Sequence, residues 1–166
     1  MWITLFSNTG NELVSLCNML GRKPDVIYCD KKRADWNPLI QDNTVLLDHD
    51  SIMNKLQEAA DDCLVTLHGY FRIIPSHAIK ERMYNVHPGD IVTYPFLKGK
   101  DPQEKALQLN LPSTGVVIHK VTDELDSGEI VKRAVYDINN DTVNSLTDEL
   151  RCLSVGLWYN FLKDKI

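Results

Sequence analysis

The stretch "CLVTL", residues 63–67, is a short apolar run without a charged side chain. A strand with one face in water alternates apolar and polar residues, whereas a parallel strand covered on both faces is apolar throughout. This stretch therefore predicts a central strand of a parallel sheet, with helices packed on both of its faces.

The segments on either side repeat an alternation of strands and helices. Strands are predicted at "WITLF" (2–6), "DVIYC" (25–29), "TVLLD" (44–48), "GVVIHKV" (115–121) and "EIVKRAVY" (129–136), with "MYNV" (83–86) as a further one. Helical spacing is found in "ELVSLCNML" (12–20, closed by Gly21), "SIMNKLQEAADD" (51–62, N-cap Asp50 or Ser51), Ser76–Arg82 and 142–163. This order predicts a Rossmann-like, mostly parallel α/β sheet flanked by helices on both faces, with a late antiparallel strand. We expect a single domain over residues 1–166.

Composition is ordinary for a soluble globular protein. The 166 residues carry a net charge of -5 with a pI of about 5.5, so we expect neither a nucleic-acid nor a membrane partner. The start of the chain lacks the basic segment of a signal peptide, which favours the cytoplasm. The four cysteines, Cys17, Cys29, Cys63 and Cys152, form no C-x-x-C pair. We expect them reduced inside structural elements, with no zinc or other metal site.

Ligands of open α/β sheets bind beyond the carboxyl ends of the strands. This rule selects four loops: "SNTGNE", "HGYFRI", "NVHPGD" and "TDELDSG". In the third, Asn85 and His87 lie on one face of a strand that Pro88 ends. An amide and an imidazole aimed at one point can stabilise a carbonyl oxygen that becomes negative during attack. The alternative is that both residues merely cap a strand end.

The other loops allow two interpretations each. The acidic loop "TDELDSGE" is either a solvated turn or a segment that turns Asp126 inward to His87, holding the ring and raising its pKa. The first loop starts a helix and offers backbone N–H groups to an anion. Its single Gly10 also fits an ordinary turn, and Glu12 would repel a phosphate. His68 and His119, on apolar strands, fit hydrogen-bonded core positions better than ligand positions.

Three of these stretches occur together in an order and spacing that resembles a known family. "LHGYFRIIP", "NVHPG" and "TGVVIHKVTDELDSGEIV" resemble the folate-dependent formyltransferases, and in particular those that formylate glycinamide ribonucleotide. The likeness is clear from about residue 63 to residue 133 and looser from residue 1. It implies the formyltransferase fold and the transfer of a formyl group from 10-formyltetrahydrofolate, the co-substrate, to an amine.

The resemblance also implies roles for individual residues. Asn85, His87 and Asp126 match the family's catalytic residues, the first two stabilising the tetrahedral oxyanion while Asp126 orients His87 and helps to move a proton. The co-substrate is expected beside Phe71, Arg72, Ile73, Ile74, Val121, Thr122, Asp123, Glu124 and Leu125. The acceptor is expected near Thr9, Gly10, Asn11, Glu12, Pro88 and His119. The first loop departs from the family's phosphate-binding pattern, because one glycine is lost and Glu12 stands where an asparagine is usual.

The acceptor remains open at the level of sequence. Glycinamide ribonucleotide, an intermediate of purine biosynthesis, is our first expectation, because the length fits a stand-alone formyltransferase acting as a monomer or homodimer. The alternatives are an amino-sugar nucleotide or another specialised amine, a 10-formyltetrahydrofolate hydrolase, and an inactive folate-binding protein. Lys98, Lys100 and Lys105 are available for an anionic substrate or form a solvated basic loop.

Overall fold

The computed structural model describes residues 1–32 and 34–166. In these ranges the strands are β1 Trp2–Phe6, β2 Val26–Cys29, β3 Thr44–Leu46, β4 Leu64–Leu67, β5 Met83–His87, β6 Ser113–Lys120 and β7 Ile130–Asp137. The helices are α1 Asn11–Leu20, α2 Pro38–Gln41, α3 His49–Glu58, α4 Pro102–Gln108 and α5 Val143–Leu162. Two short 3₁₀ turns span Ser76–Ala78 and Pro95–Leu97.

The strands form one sheet in the order β3-β2-β1-β4-β5-β6-β7. Neighbours from β3 to β5 pair in parallel, whereas β6 is antiparallel to both β5 and β7. The predicted fold class, including its late antiparallel strand, is confirmed. In β4, the strand of the opening stretch, all four residues are buried, as expected for a position in the middle of the sheet.

Each face of the sheet has its own apolar core. On one face, α1 and α5 cover a core that includes Trp2, Leu16 and Trp158. On the other, α3 covers a core that includes Leu5 and Leu56. The polar residues of β5 described below belong to the α3 face, because they alternate with core residues of the α1 and α5 face.

Some predicted elements differ from those observed. The helix expected over Ser76–Arg82 is wrong, because only the 3₁₀ turn forms there before β5 begins at Met83. Helix α3 begins earlier than expected, since Asp48 rather than Asp50 or Ser51 is its N-cap and accepts the Ser51 N–H at 2.9 Å. Cys152 is exposed on α5, whereas the other three cysteines are buried as expected.

Helix α4 follows Asp101, whose φ of 54° is left-handed, and was not anticipated. Its sequence "PQEKALQ" is short and mostly polar, so it carries little apolar periodicity. No helix in the described ranges is both long and apolar enough to cross a membrane.

Candidate active site

Strand β5 places Asn85 and His87 on the α3 face of the sheet. Tyr84 and Val86 point the other way, where the Tyr84 ring packs on Phe161 of α5 with centroids 4.8 Å apart. The strand ends at His87, immediately before Pro88, as predicted. Period-two alternation therefore brings the amide and the imidazole to the same side of the sheet.

The acidic loop reaches this face by a route that sequence did not predict. Because β6 is antiparallel, its end lies beside the start of β5, where the Val121 N–H donates to the Met83 carbonyl at 2.9 Å. The loop then runs along β5 until Asp126 meets His87. The expectation that all four loops leave the carboxyl edge of the sheet is therefore wrong for this one.

The Asp126 carboxylate is buried between two imidazoles. Its Oδ2 lies 3.2 Å from His87 Nδ1 and accepts the Gly99 N–H at 2.9 Å, while its Oδ1 lies 3.4 Å from His119 Nε2. The backbone of Asp126 itself takes a left-handed φ of 51°. Gly128 lets the loop approach β6 closely, since a Cβ there would collide with the Lys120 carbonyl oxygen. Asp126 therefore turns inward, as anticipated.

Hydrogen-bond partners fix how the two rings are protonated. His87 Nε2 lies 2.8 Å from the Leu97 carbonyl oxygen, and His119 Nδ1 lies 2.8 Å from that of Lys120. Because a carbonyl oxygen only accepts, both of these nitrogens are assigned the proton. Each ring then turns its remaining nitrogen toward Asp126. A proton that arrives on either nitrogen is stabilised by the carboxylate.

The pKa of His87 is lowered, not raised as the sequence suggested. Burial disfavours the charged ring, and this outweighs the opposing effect of the Asp126 charge on the pKa. The pKa of Asp126 is also lowered. Burial alone would raise it, but the two imidazoles that face the carboxylate, His119 first and then His87, together with the Gly99 N–H outweigh burial.

A cleft opens beside these groups on the α3 face. It is lined by Leu67, Tyr70, Arg72, Ile73, Ile74, Asn85, His119, Val121, Thr122, Glu124, Leu125 and Asp126. Seven of the nine residues expected to hold the co-substrate are in this list, and Phe71 and Asp123 are not. Leu67 and Tyr70 were not foreseen, although Tyr70 lies within the "HGYFRI" loop that sequence selected and Leu67 directly precedes it.

The other expected site residues near the cleft differ in whether they line it. Asn85 lines it with its Nδ2 3.3 Å from His119 Nε2, whereas His87 lies behind Asp126 and does not line it. His119, for which the apolar strand favoured the core and the resemblance implied the acceptor site, is buried and also lines the cleft. Pro88 does not line it.

The first loop lies at the next strand end, outside the cleft lining. The Ser7 N–H donates to the Gly69 carbonyl at 3.0 Å, which joins the loop to the "HGYFRI" segment. Thr9, Gly10 and Asn11 form the turn into α1, and the Glu12 carboxylate lies 2.8 Å from His68 Nδ1. His68 is fully buried and hydrogen-bonded, as expected of a core histidine.

Comparisons with known proteins show which family the chain belongs to. The family model described as "Formyl transferase" matches residues 22–158. The human trifunctional purine biosynthetic protein adenosine-3 is 28% identical over 168 residues, which are 89% of this chain but only 16% of that protein. The phosphoribosylglycinamide formyltransferase of Dictyostelium discoideum is 28% identical over 103 residues, 56% of this chain and 50% of that protein.

Among solved structures, the phosphoribosylglycinamide formyltransferase of Bacillus halodurans superposes with a TM-score of 0.82. The superposition covers 99% of this chain and 94% of that one at 22% identity, so it establishes the shared fold. The matched family model extends over most of the chain and includes Asn85, His87 and Asp126. The chain therefore belongs to the formyl transferase family.

Proposed function

We propose that the chain catalyses transfer of the formyl group of 10-formyltetrahydrofolate to the amine of a small acceptor. The observation that carries this proposal is the convergence of Asn85, His119 and Asp126 on one cleft, with His87 directly behind Asp126. Two separate segments supply them, since Asn85 and His119 are 34 residues apart in sequence. Their grouping provides a hydrogen-bond donor and a proton-accepting set at one point.

The chemistry needs both functions. The acceptor nitrogen attacks the formyl carbon, the carbonyl oxygen becomes negative, and collapse breaks the bond to N10 of the folate. The Asn85 amide, at the cleft, donates to the developing oxyanion. The proton lost by the amine passes through the Asp126 and imidazole set to N10, the leaving nitrogen, so that charge balances.

His87 takes a different role in this proposal from the one sequence implied. Its Nε2 donates to the Leu97 carbonyl, and its Nδ1 faces Asp126. Direct contact with the formyl oxygen would require the bond to Leu97 to break. We therefore assign to His87 the support of the Asp126 charge, as a positioning residue.

The co-substrate fits the cleft between the "HGYFRI" segment and the acidic loop. Apolar walls from Leu67, Ile74 and Val121 suit a flat heterocycle, and backbone groups of the loop can pair with its polar edge. Arg72 lines the cleft with its Nε bound to Asp30 at 3.0 Å, and its two terminal nitrogens can meet an anionic part of the folate. A cytoplasmic location follows from this co-substrate chemistry as part of the same proposal.

Glycinamide ribonucleotide is the acceptor that the relatives support, through the names of the Dictyostelium and Bacillus proteins. A purine-biosynthetic role would follow from it. A second candidate, an amine without a phosphate, is favoured by the carboxylate of Glu12 at the first loop.

The test is an assay of purified chain with 10-formyltetrahydrofolate and glycinamide ribonucleotide, following tetrahydrofolate and the formylated amine by mass spectrometry. Formation of both products in equal amounts supports the proposal. Formate release at the same rate without any acceptor would instead indicate a hydrolase. Folate binding without turnover of any amine would indicate an inactive binding protein.

A further inference from the structure

The first loop is built in a way that the formyl transfer proposed above does not explain. Helix α1 begins at Asn11 after Gly10, whose φ of 75° is left-handed. The Gly10 carbonyl accepts the Val14 N–H at 3.0 Å, but this residue has no side chain that could cap the helix. Such a helix start attracts anions through its backbone N–H groups. Here, however, two of those N–H groups are bound by side chains of the loop itself.

Two of the N–H groups at the helix start, those of Gly10 and Asn11, have internal partners. Asn8 Oδ1 accepts the Gly10 N–H at 2.9 Å, and Thr9 Oγ1 accepts the Asn11 N–H at 3.3 Å. The Asn11 side-chain oxygen is held in turn by Asn37 Nδ2 at 2.9 Å. A phosphate that used these N–H groups would first have to displace two side-chain oxygens.

The Glu12 carboxylate occupies the first turn of the same helix. Only 13% of its side chain is exposed, and its Oε1 lies 2.8 Å from Nδ1 of the fully buried His68. The partners of His68 indicate which nitrogen is protonated. The Trp2 indole N–H can only donate, and it donates to one lone pair of Thr66 Oγ1 at 3.0 Å, while the Thr66 hydroxyl hydrogen can bond to His68 Nε2 at 2.9 Å.

A neutral His68 with its proton on Nδ1 satisfies every member of this chain of hydrogen bonds. The Glu12 charge is therefore held in place by a neutral donor and keeps its negative field at the helix start. The other carboxylate near this loop, that of Asp30, is bound by Ser7 Oγ at 2.6 Å and by Arg72 Nε at 3.0 Å. Thus Arg72 is already paired with an acid.

We infer that Glu12, held by His68, excludes a phosphate group from the first loop, and that the acceptor presents an uncharged hydroxyl-bearing or cationic group there. The inference rests on the formyl transfer proposed above, because it names the class of acceptor for that reaction. A hydroxyl or ammonium group can donate a hydrogen bond to the second carboxylate oxygen of Glu12. A phosphate dianion in the same place would be repelled by the Glu12 charge.

The test compares glycinamide ribonucleotide with its dephosphorylated form, glycinamide riboside. The measured quantity is the ratio of kcat/KM for the phosphorylated to the unphosphorylated acceptor. Glu12→Gln keeps the oxygen that accepts from His68 and removes only the charge, and Asn8→Gly in addition releases the Gly10 N–H. We expect the ratio to rise by about tenfold or more in Glu12→Gln or in the double variant. The charge-matched control Glu149→Gln, on the exposed side of α5, should leave the ratio at the wild-type value.

A ratio that stays the same or falls in both variants overturns the inference. Titration with inorganic phosphate, followed by calorimetry, gives a second readout that does not depend on turnover. Phosphate binding that is at least about tenfold tighter in the double variant than in the wild type supports the inference, and no difference overturns it. If no variant formylates either acceptor, the proposed function fails while the phosphate titration still decides this point.

Discussion

Asp126 is the residue at which the groups of the site meet. It binds the Gly99 N–H and faces both imidazoles, so its charge fixes a loop and two rings at once. We expect Asp126→Asn to lower kcat for formyl transfer by roughly 10²–10³-fold, the loss typical of one buried electrostatic contact in an active site. The measurement is steady-state turnover with saturating folate and amine.

The matched control is Asp137→Asn at the exposed end of β7, which removes the same charge away from the cleft. We expect its kcat to equal that of the wild type. Equal activity of Asp126→Asn and Asp137→Asn would contradict the role given to Asp126. A loss of folded protein, checked by circular dichroism, would have to be corrected for before the comparison is made.

Burial of His87 makes the free energy of unfolding depend on pH. The pKa of His87 is lowered in the folded protein. As pH falls below about 6.5, the His87 ring therefore takes up a proton more readily in the unfolded chain than in the folded one. We therefore expect the free energy of unfolding to fall as pH drops from about 7 to 5, and His87→Gln to show a smaller fall. Urea denaturation of the wild type and the variant at pH 7 and pH 5 measures these free energies of unfolding.

His77, which is exposed in a 3₁₀ turn, supplies the control variant His77→Gln, and its pH dependence should match the wild type. The Asp126 carboxyl, whose pKa is also lowered, adds a loss of stability of the same sign at still lower pH. A fall between about pH 7 and 5 that is identical in His87→Gln and wild type would refute the assignment to His87.

The sequence located these residues better than it described their environment. Alternation in β5 was enough to place Asn85 and His87 on one face, and the resemblance pointed to Asp126. The bond from His87 to the Leu97 carbonyl could not be foreseen, because Leu97 ends a short 3₁₀ turn whose position has no sequence period. For the same reason, burial of the ring and its effect on the pKa were not predicted.

At the scale of elements, two glycines in or next to helices allow a matched comparison. Gly21 ends α1 with a left-handed φ of 65°, and a Cβ there would meet nothing within 4 Å. Gly156 lies inside α5, and a Cβ there would also meet nothing within 4 Å. The two positions therefore differ in backbone conformation and not in available space.

We expect Gly21→Ala to lower the free energy of unfolding by about 1 kcal/mol, because an L-residue is strained in the left-handed region. Gly156→Ala should raise it by roughly 0.5–1 kcal/mol, since alanine restricts the unfolded chain and fits a helix. Urea denaturation of both variants measures the difference. Effects of the same sign in the two variants would contradict the backbone explanation.

Elements with strong local signals were predicted closely, and those set by tertiary contacts were not. The bounds of β1 match residue by residue, and α5 differs by one residue at each end, because a buried apolar pattern extends along both. The segment Ser76–Arg82 has helix-forming residues but only one turn of 3₁₀ helix. Its Lys80 side chain instead binds the Ala59 carbonyl at the end of α3, at 3.0 Å.

At the scale of the whole molecule, the two cores share one sheet. Strands β1 and β4 contribute side chains to both, since Trp2 faces the α1 and α5 core while Ile3 and Leu5 face the α3 core. A change in one core therefore acts on the same strands that support the other. We propose that the chain unfolds as one cooperative domain, as the sequence suggested.

Tryptophan fluorescence can test whether unfolding is cooperative, because it reports on one core only. All three tryptophans, Trp2, Trp36 and Trp158, lie in the core of the α1 and α5 face. Leu56→Ala empties part of the opposite core, where Leu56 is fully buried, and should cost about 2–5 kcal/mol. Cooperative unfolding predicts that the urea midpoint from tryptophan fluorescence shifts as far as the midpoint from far-ultraviolet circular dichroism. Leu16→Ala, in the tryptophan-bearing core, is the matched variant and should behave in the same way. Two separate transitions in Leu56→Ala, with fluorescence following only the second, would mean that the α3 face unfolds by itself and that the chain is not one cooperative unit.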